Sequence, residues 1–94
     1  MRVRGPSMSP TLSDSDIVLV RAGATATEPG SVVLVVWASR PGQLSVKRAL
    51  RRNDEGWFVV GDNPGGSTDS RELGPATVVG VVRWRLWPKP GPIR

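Results

Sequence analysis

The chain has 94 residues, a formal net charge of +5, and neither cysteine nor histidine. This length supports one hydrophobic core, without room for a catalytic domain and a separate recognition domain. The missing residue types exclude disulfides, thiolate nucleophiles, Cys/His metal sites and every histidine-based catalytic dyad. A hydrolase built from this sequence would need Lys, Asp or Glu as its base, and we expect neither a cofactor nor a metal ion.

The basic residues are scattered along the chain instead of being gathered on one helix. This pattern favours a solvated basic surface, or an acidic protein partner, over nucleic-acid binding. Trp84 and Trp87 flank Arg83 and Arg85, an arrangement that can stack single-stranded nucleic acid. Packing of the tryptophans in the core and rim of a small barrel is the favoured interpretation, so no nucleic-acid partner is expected.

The longest strongly apolar stretch, Ser31–Trp37, is far shorter than the roughly 20 residues that a membrane-spanning helix needs. The N-terminal residues also lack the apolar region of a signal peptide. The sequence therefore predicts a soluble, cytoplasmic protein with no integral membrane segment.

Short apolar runs, rich in Val and bounded by Gly, Pro, Asn or Asp, predict β-strands. They are Asp16–Arg21, Ser31–Trp37, Leu44–Leu50, Trp57–Val60 and Val78–Trp87. The segment Gly61–Pro75 has almost no apolar residues, and we expect a structured functional loop there. The prediction is an all-β chain forming a single domain over 1–94, with 88–94 as a flexible tail.

A candidate nucleophile lies near the start of the chain, in the segment Gly5-Pro6-Ser7-Met8-Ser9-Pro10. The two prolines and the glycine favour a turn around Ser7 over a regular strand. A nucleophilic hydroxyl needs such a fixed, exposed position. By itself, however, the segment is more typical of an ordinary serine-rich turn.

A candidate base lies in the run Val46-Lys47-Arg48-Ala49-Leu50. Strand alternation puts Lys47 and Ala49 on one face and the other three residues on the opposite face. Lysine accepts a proton from serine only when neutral, so its pKa must fall from about 10.4 toward 7, usually through burial. An isolated strand lysine is more commonly exposed. Its combination with Ser7 and the polar loop is what favours a Ser–Lys dyad.

The segments GPSMSPTL, VKRAL and GDNPGGSTDSRELGP occur in the order found in the serine–lysine peptidases of the type I signal peptidase family, which this chain resembles. The resemblance implies that Ser7 is the nucleophile, Lys47 the general base and Ser67 the residue that orients the lysine amine. It also implies an all-β fold, a small partly open barrel or packed antiparallel sheets of the signal peptidase and LexA catalytic-domain type.

The same resemblance assigns supporting roles around the site. It implies a structural ion pair and residues that line the substrate cleft or support the loop; these are Gly5, Met8, Pro10, Asp62, Asn63, Asp69 and Arg71. For Met8, ordinary core packing is an equal alternative. The Ser7 N–H is the expected oxyanion donor, and because Gly5 stands where some family members have a serine, a second donor would be backbone or water.

The chain departs from signal peptidases in its layout, since few residues precede Ser7 and only a short stretch separates Lys47 from Gly61. This minimal form resembles the maturation proteases of nickel-containing superoxide dismutase, which implies a soluble endopeptidase that removes the propeptide of that precursor. Two alternatives stay open: a signal peptidase-like enzyme with a membrane partner, and a non-catalytic binding module on a degenerate peptidase fold. A self-cleaving LexA-type repressor is not expected.

Overall fold

The computed structural model describes residues 1–23, 27–66 and 68–93. Over these ranges the chain forms a β-sheet with one short helix, α1 (Ser70–Leu73), and a 3₁₀ turn at Pro64–Gly66. The described residues include no helix with the length and apolar character needed to cross a membrane. The strands are β1 (Ile17–Ala22), β2 (Val32–Trp37), β3 (Arg40–Asn53), β4 (Gly56–Val60), β5 (Thr77–Trp87) and β6 (Gly91–Pro92).

The strands pair in the order β1-β5-β2-β3-β4, with β6 also pairing with β5. The pairings between these strands are antiparallel. Trp57 and Ala76 exchange backbone hydrogen bonds of 2.9 and 2.8 Å, which joins β4 to the residue just before β5. This contact curls the sheet partway toward a barrel. The predicted all-β, antiparallel fold is confirmed.

The central strand, β2, is buried on both faces, and each face has its own cluster of apolar side chains. Alternation along a strand separates Val33 and Val35 from Val32 and Leu34. The first cluster comprises Val33, Val35, Trp37, Ala49, Trp57, Val59, Ala76, Val78 and Val81. The second comprises Val3, Met8, Leu12, Val18, Val32, Leu34, Val46 and Val82. The Ser7 segment is thereby anchored on one face of the sheet.

The third strand begins earlier than the sequence predicts, at Arg40 instead of Leu44. Pro41 and Gly42 are unfavourable within a strand because proline donates no ladder hydrogen bond. Here the register with β2 shifts between Val35 and Trp37, so Pro41 lies in an irregular part of the ladder. Proline is tolerated at such bulged positions. The extra length carries β3 past the end of β4.

The segment predicted to be a flexible tail contains more structure than expected. Gly91, in β6, pairs with Arg85 of β5. The Ile93 N–H donates a 2.8 Å hydrogen bond to the Arg83 carbonyl oxygen. The Ile93 side chain packs against the second core cluster. Residues 91–93 therefore extend the sheet instead of leaving it.

The turn between β3 and β4 yields a stability test at Gly56. This glycine has a φ of 145°, and a Cβ added there would lie inside van der Waals contact with the Ala76 carbonyl oxygen. Gly42 also has a positive φ, 79°, but a Cβ there meets open space. We expect Gly56→Ala to lower the free energy of unfolding by about 3 kcal/mol, and the control Gly42→Ala by about 1 kcal/mol. Urea denaturation measures both, and equal losses would contradict the close approach of Gly56 to Ala76.

Candidate active site

The Lys47 side chain is buried on β3 and is only 4% exposed. Lys47 lies opposite Val33 in the ladder with β2, and strand alternation gives it the same face as the fully buried Ala49. Burial, the largest influence, lowers the pKa of the Lys47 amine because the charged form is poorly solvated there. The sequence predicted that Lys47 and Ala49 share a face, and the burial of both fits that prediction.

Asp69 and Arg71 form an ion pair that influences the charge of Lys47. The Arg71 Nε and Nη2 atoms donate to the two Asp69 carboxylate oxygens at 2.9 and 2.6 Å. After burial, the Asp69 charge is the next influence and raises the pKa of Lys47, whereas the Arg71 charge lowers it. Arg71 thus offsets part of the attraction between a buried carboxylate and the lysine ammonium. Ser67, predicted to orient the amine, lies outside the described residues.

The loop that carries Asp69 is docked onto β4 by buried hydrogen bonds. Asp69, 1% exposed, caps the N-terminus of α1 and accepts hydrogen bonds from the N–H groups of Arg71 and Gly61 at 3.1 and 2.9 Å. The Ser70 hydroxyl accepts a 2.9 Å hydrogen bond from the Val59 N–H. These hydrogen bonds offset the free energy needed to bury the Asp69 carboxylate, and they fix the loop beside Lys47.

The turn that carries Ser7 is held by Asn63. The Pro6 carbonyl oxygen accepts the Ser9 N–H at 3.0 Å, which closes the turn, and also the Asn63 side-chain amide at 3.1 Å. The Asn63 N–H donates to the Ser7 carbonyl oxygen at 2.8 Å. Gly5 enters the turn with a φ of 78°, a conformation that favours glycine. Asn63 therefore binds the carbonyl groups on both sides of the Ser7 Cα.

Asp62 links the same turn to β3. Its carboxylate accepts hydrogen bonds from Arg48 Nε and Nη2, at 3.1 and 2.6 Å, and from the Thr11 hydroxyl at 2.5 Å. The Arg48 Nη1 atom also donates to the Gly30 carbonyl oxygen at 2.9 Å. The hydrogen bonds from Arg48 are the main cause of a lowered pKa for Asp62. This network ties the Ser7 segment to the residue that follows Lys47.

Ser7 and Lys47 line the same cavity, which has a volume of about 640 Å³. Its wall includes the part of β3 before Arg48, where β3 pairs with β2 alone because the ladder with β4 begins at Arg48. Within the described residues, neither the hydroxyl nor the N–H of Ser7 makes a hydrogen bond. The cavity thus joins a serine, a buried lysine and an open strand edge.

The remaining predicted residues have other places in the structure. Met8 is fully buried in the second core cluster, so of its two interpretations the structure supports core packing and not a cleft wall. Pro10 is exposed and follows a cis peptide bond. The described residues contain no group of three or more His, Cys, Asp or Glu side chains able to hold a metal ion. Sequence reasoning missed Arg48, whose only signal was its position beside Lys47, and Ser70, which had none.

A protein-family model described as peptidase S24-like matches residues 1–83. The chain belongs to the peptidase S24-like family. The match covers all the residues of the candidate site, from Gly5 to Arg71, and supports the serine-peptidase class that the sequence predicted. No curated protein matched the chain.

The opposing effects of Asp69 and Arg71 give a test of the electrostatics around Lys47. Removing the positive charge in Arg71→Gln is expected to raise the pKa of Lys47, because the Asp69 charge is then unopposed. NMR titration of the Lys47 side-chain ¹³Cε signal measures this pKa, with exposed Lys89 as an internal reference. The control is Arg85→Gln, which removes an arginine paired with Asp16 instead. A Lys47 pKa that falls or stays constant in Arg71→Gln would refute this account.

The Asp62 network gives a second test, of stability against pH. The folded-state pKa of Asp62 is lowered, so its stabilising effect is complete above the unfolded value of about 3.9 and is lost as the pH falls through the folded value. Asp62→Asn should therefore lower the free energy of unfolding at pH 7 by about 1–3 kcal/mol. The deficit should shrink on acidification. The control is Asp54→Asn, at an exposed turn residue. Urea denaturation should show that this change alters the free energy of unfolding by no more than about 0.5 kcal/mol, both at pH 7 and after acidification.

Proposed function

We propose that the chain is a serine endopeptidase in which Ser7 is the nucleophile and Lys47 the general base. The observation that carries this proposal is that Ser7 lines one cavity together with a lysine that is 4% exposed and has a lowered pKa. A neutral amine beside an accessible hydroxyl is the pairing that Ser–Lys chemistry requires. The proposed peptidase occupies one domain over residues 1–94.

In the proposed acylation step, the neutral Lys47 amine takes the proton of the Ser7 hydroxyl while Oγ attacks the scissile carbonyl carbon. The resulting Lys47 ammonium then gives this proton to the leaving amine as the C–N bond breaks. An ester to Ser7 and a free amino terminus are the products. The Ser7 hydroxyl makes no hydrogen bond within the described residues, so substrate binding has to bring Oγ and Nζ together, as catalytic contacts often tighten in the substrate complex.

The Ser7 N–H is the proposed oxyanion donor. It makes no hydrogen bond within the described residues, and Asn63 holds the adjoining carbonyl groups of Pro6 and Ser7 in place. A preorganised backbone donor of this kind stabilises the negative oxygen of the tetrahedral intermediate without reorganisation during the reaction. Gly5 supplies no side-chain donor, so a second donor has to come from the backbone or water.

Deacylation reverses the proton transfers. Lys47, neutral again, takes a proton from water; the hydroxide adds to the ester carbonyl; and the proton returns to Ser7 Oγ as the ester bond breaks. We assign Ser67 the role of orienting the lysine amine, on the strength of the GDNPGGSTDSR segment. The ion pair between buried Asp69 and exposed Arg71 supports this role by fixing the backbone that follows Ser67.

An extended polypeptide fits the geometry of the cavity. The part of β3 from Arg40 to Lys47 pairs with β2 alone, which leaves its other edge open along the cavity wall. A substrate added to this edge as a strand would form backbone hydrogen bonds and present its carbonyl groups toward Ser7. We propose that the substrate is the propeptide region of a nickel-containing superoxide dismutase precursor in the cytoplasm, on the basis of the Ser7, Lys47 and loop segments and the short stretch that separates Lys47 from Gly61.

Co-expression with that precursor tests both the chemistry and the substrate. Ser7→Ala and Lys47→Ala are each expected to reduce processing by at least about 10⁴-fold, because each removes one half of the dyad. Intact-mass spectrometry of the precursor measures the cleaved fraction. Circular dichroism and thermal unfolding of both variants serve as fold controls.

The outcomes separate the parts of the proposal. Processing by Ser7→Ala at the wild-type rate would refute the Ser–Lys mechanism. Cleavage of other peptides by the wild-type protein, with this precursor left intact, would refute the substrate alone. A folded wild-type protein that cleaves neither precursor nor peptides would instead favour a non-catalytic binding module.

A further inference from the structure

The candidate cavity is strongly basic. Three arginines, Arg2, Arg4 and Arg40, line it together with Ser7 and Lys47, and no acidic residue contributes to its wall in the described part of the chain. The side chains of all three arginines are exposed. A cleft lined by charges of one sign concentrates its field and attracts ligands of the opposite sign.

These arginines differ from those that build the site. Over residues 1–23, 27–66 and 68–93, the ion pairs use Arg48, Arg71 and Arg85, each held by an aspartate of this chain. Arg2, Arg4 and Arg40 have no such partner in those ranges. Their charges are therefore available to a bound molecule.

The backbone directs two of these side chains away from the core. Val3, between Arg2 and Arg4, is buried in the second core cluster, and its N–H donates a 2.7 Å hydrogen bond to the Asp16 carbonyl oxygen. Arg2 forms a bridge with Ile17. Arg2 and Arg4 flank Val3, and both exposed arginines line the cavity, as Val3 also does. Arg40 lines the same cavity from the start of β3.

Resting on the proposed peptidase function, we infer that the substrate is acidic and that Arg2, Arg4 and Arg40 determine this specificity by pairing with Asp or Glu side chains flanking the scissile bond. An extended peptide advances about 3.3 Å per residue, as β3 does. Arg40 is seven positions from Lys47 along β3, and Arg4 precedes the turn that carries Ser7. The recognised acidic residues thus lie within about seven positions of the scissile bond.

The expected energetic contribution is modest and sensitive to salt. Each exposed ion pair changes affinity by about twofold, so the three together change kcat/KM by about eightfold. Because the arginines are exposed, an ionic strength near 0.5 M should screen much of this preference. The loss of the preference at high ionic strength distinguishes charge recognition from recognition of apolar side chains, which salt does not weaken.

The experiment is cleavage profiling with a peptide library made by digesting a bacterial lysate, read by mass spectrometry against a Ser7→Ala background. The test variant is Arg2→Gln/Arg4→Gln/Arg40→Gln. The matched control, Arg21→Gln/Arg52→Gln/Arg83→Gln, removes equal charge from exposed strand positions outside this cavity. The best-cleaved peptide is then synthesised with its Asp and Glu residues intact or changed to Asn and Gln.

We expect Asp and Glu to be enriched within about seven positions of the cleaved bond for the wild type and the control, and not for the test variant. The acidic peptide should be cleaved about eightfold more slowly by the test variant, and equally fast when its acids are removed. Cleavage without this enrichment, or enrichment that survives in the test variant, overturns the acidic specificity and leaves the peptidase function standing.

If the wild type cleaves neither the precursor nor any library peptide beyond the Ser7→Ala background, the peptidase function fails. Fluorescence anisotropy then compares binding of two labelled sixteen-residue peptides, alike except for Asp or Asn at four positions. A salt-sensitive preference for the Asp peptide that the test variant loses supports an acidic-peptide cleft without catalysis. Equal affinities overturn the charge recognition as well.

Discussion

The burial of one lysine amine is the constraint around which the candidate site is organised. Lys47 lies on β3 beside β2, the strand that is packed on both faces, so its charged form is poorly solvated and its pKa is lowered. Such a group destabilises the folded state whenever it is protonated, and the surrounding fold has to compensate for that. The packing of β2 through the middle of both core clusters supplies that compensation.

The polar loop acts on both Lys47 and the Ser7 turn, but by different interactions. Asp69 and Arg71 act on Lys47 through charge, whereas Asp62 and Asn63 act on the Ser7 segment through hydrogen bonds. Arg48 connects the two sides, because it neighbours Lys47 and binds Asp62. A single loop therefore sets both the electrostatics of the candidate base and the position of the candidate nucleophile.

The sequence predicted the fold class and most strand positions, because Val-rich runs bounded by turn residues have few other structures available. It also predicted that Lys47 faces away from Arg48, which follows from alternation alone. It did not predict the start of β3, since Pro41 and Gly42 are tolerated only through a local irregularity in pairing. Nor did it predict the partners of Asp62, which are distant in sequence and meet only in the folded sheet.

Six of the arginines form two groups with opposite roles. Arg48, Arg71 and Arg85 are bound to aspartates, whereas Arg2, Arg4 and Arg40 line the cavity. Arg71 lowers the pKa of Lys47 and so favours the neutral amine that a general base requires. An acidic substrate residue close to Lys47 would stabilise the ammonium form instead and work against proton transfer. The placement of the cavity arginines several residues from Ser7 and Lys47 resolves this conflict, because charge recognition then occurs where its effect on the lysine is weakened by distance and solvent.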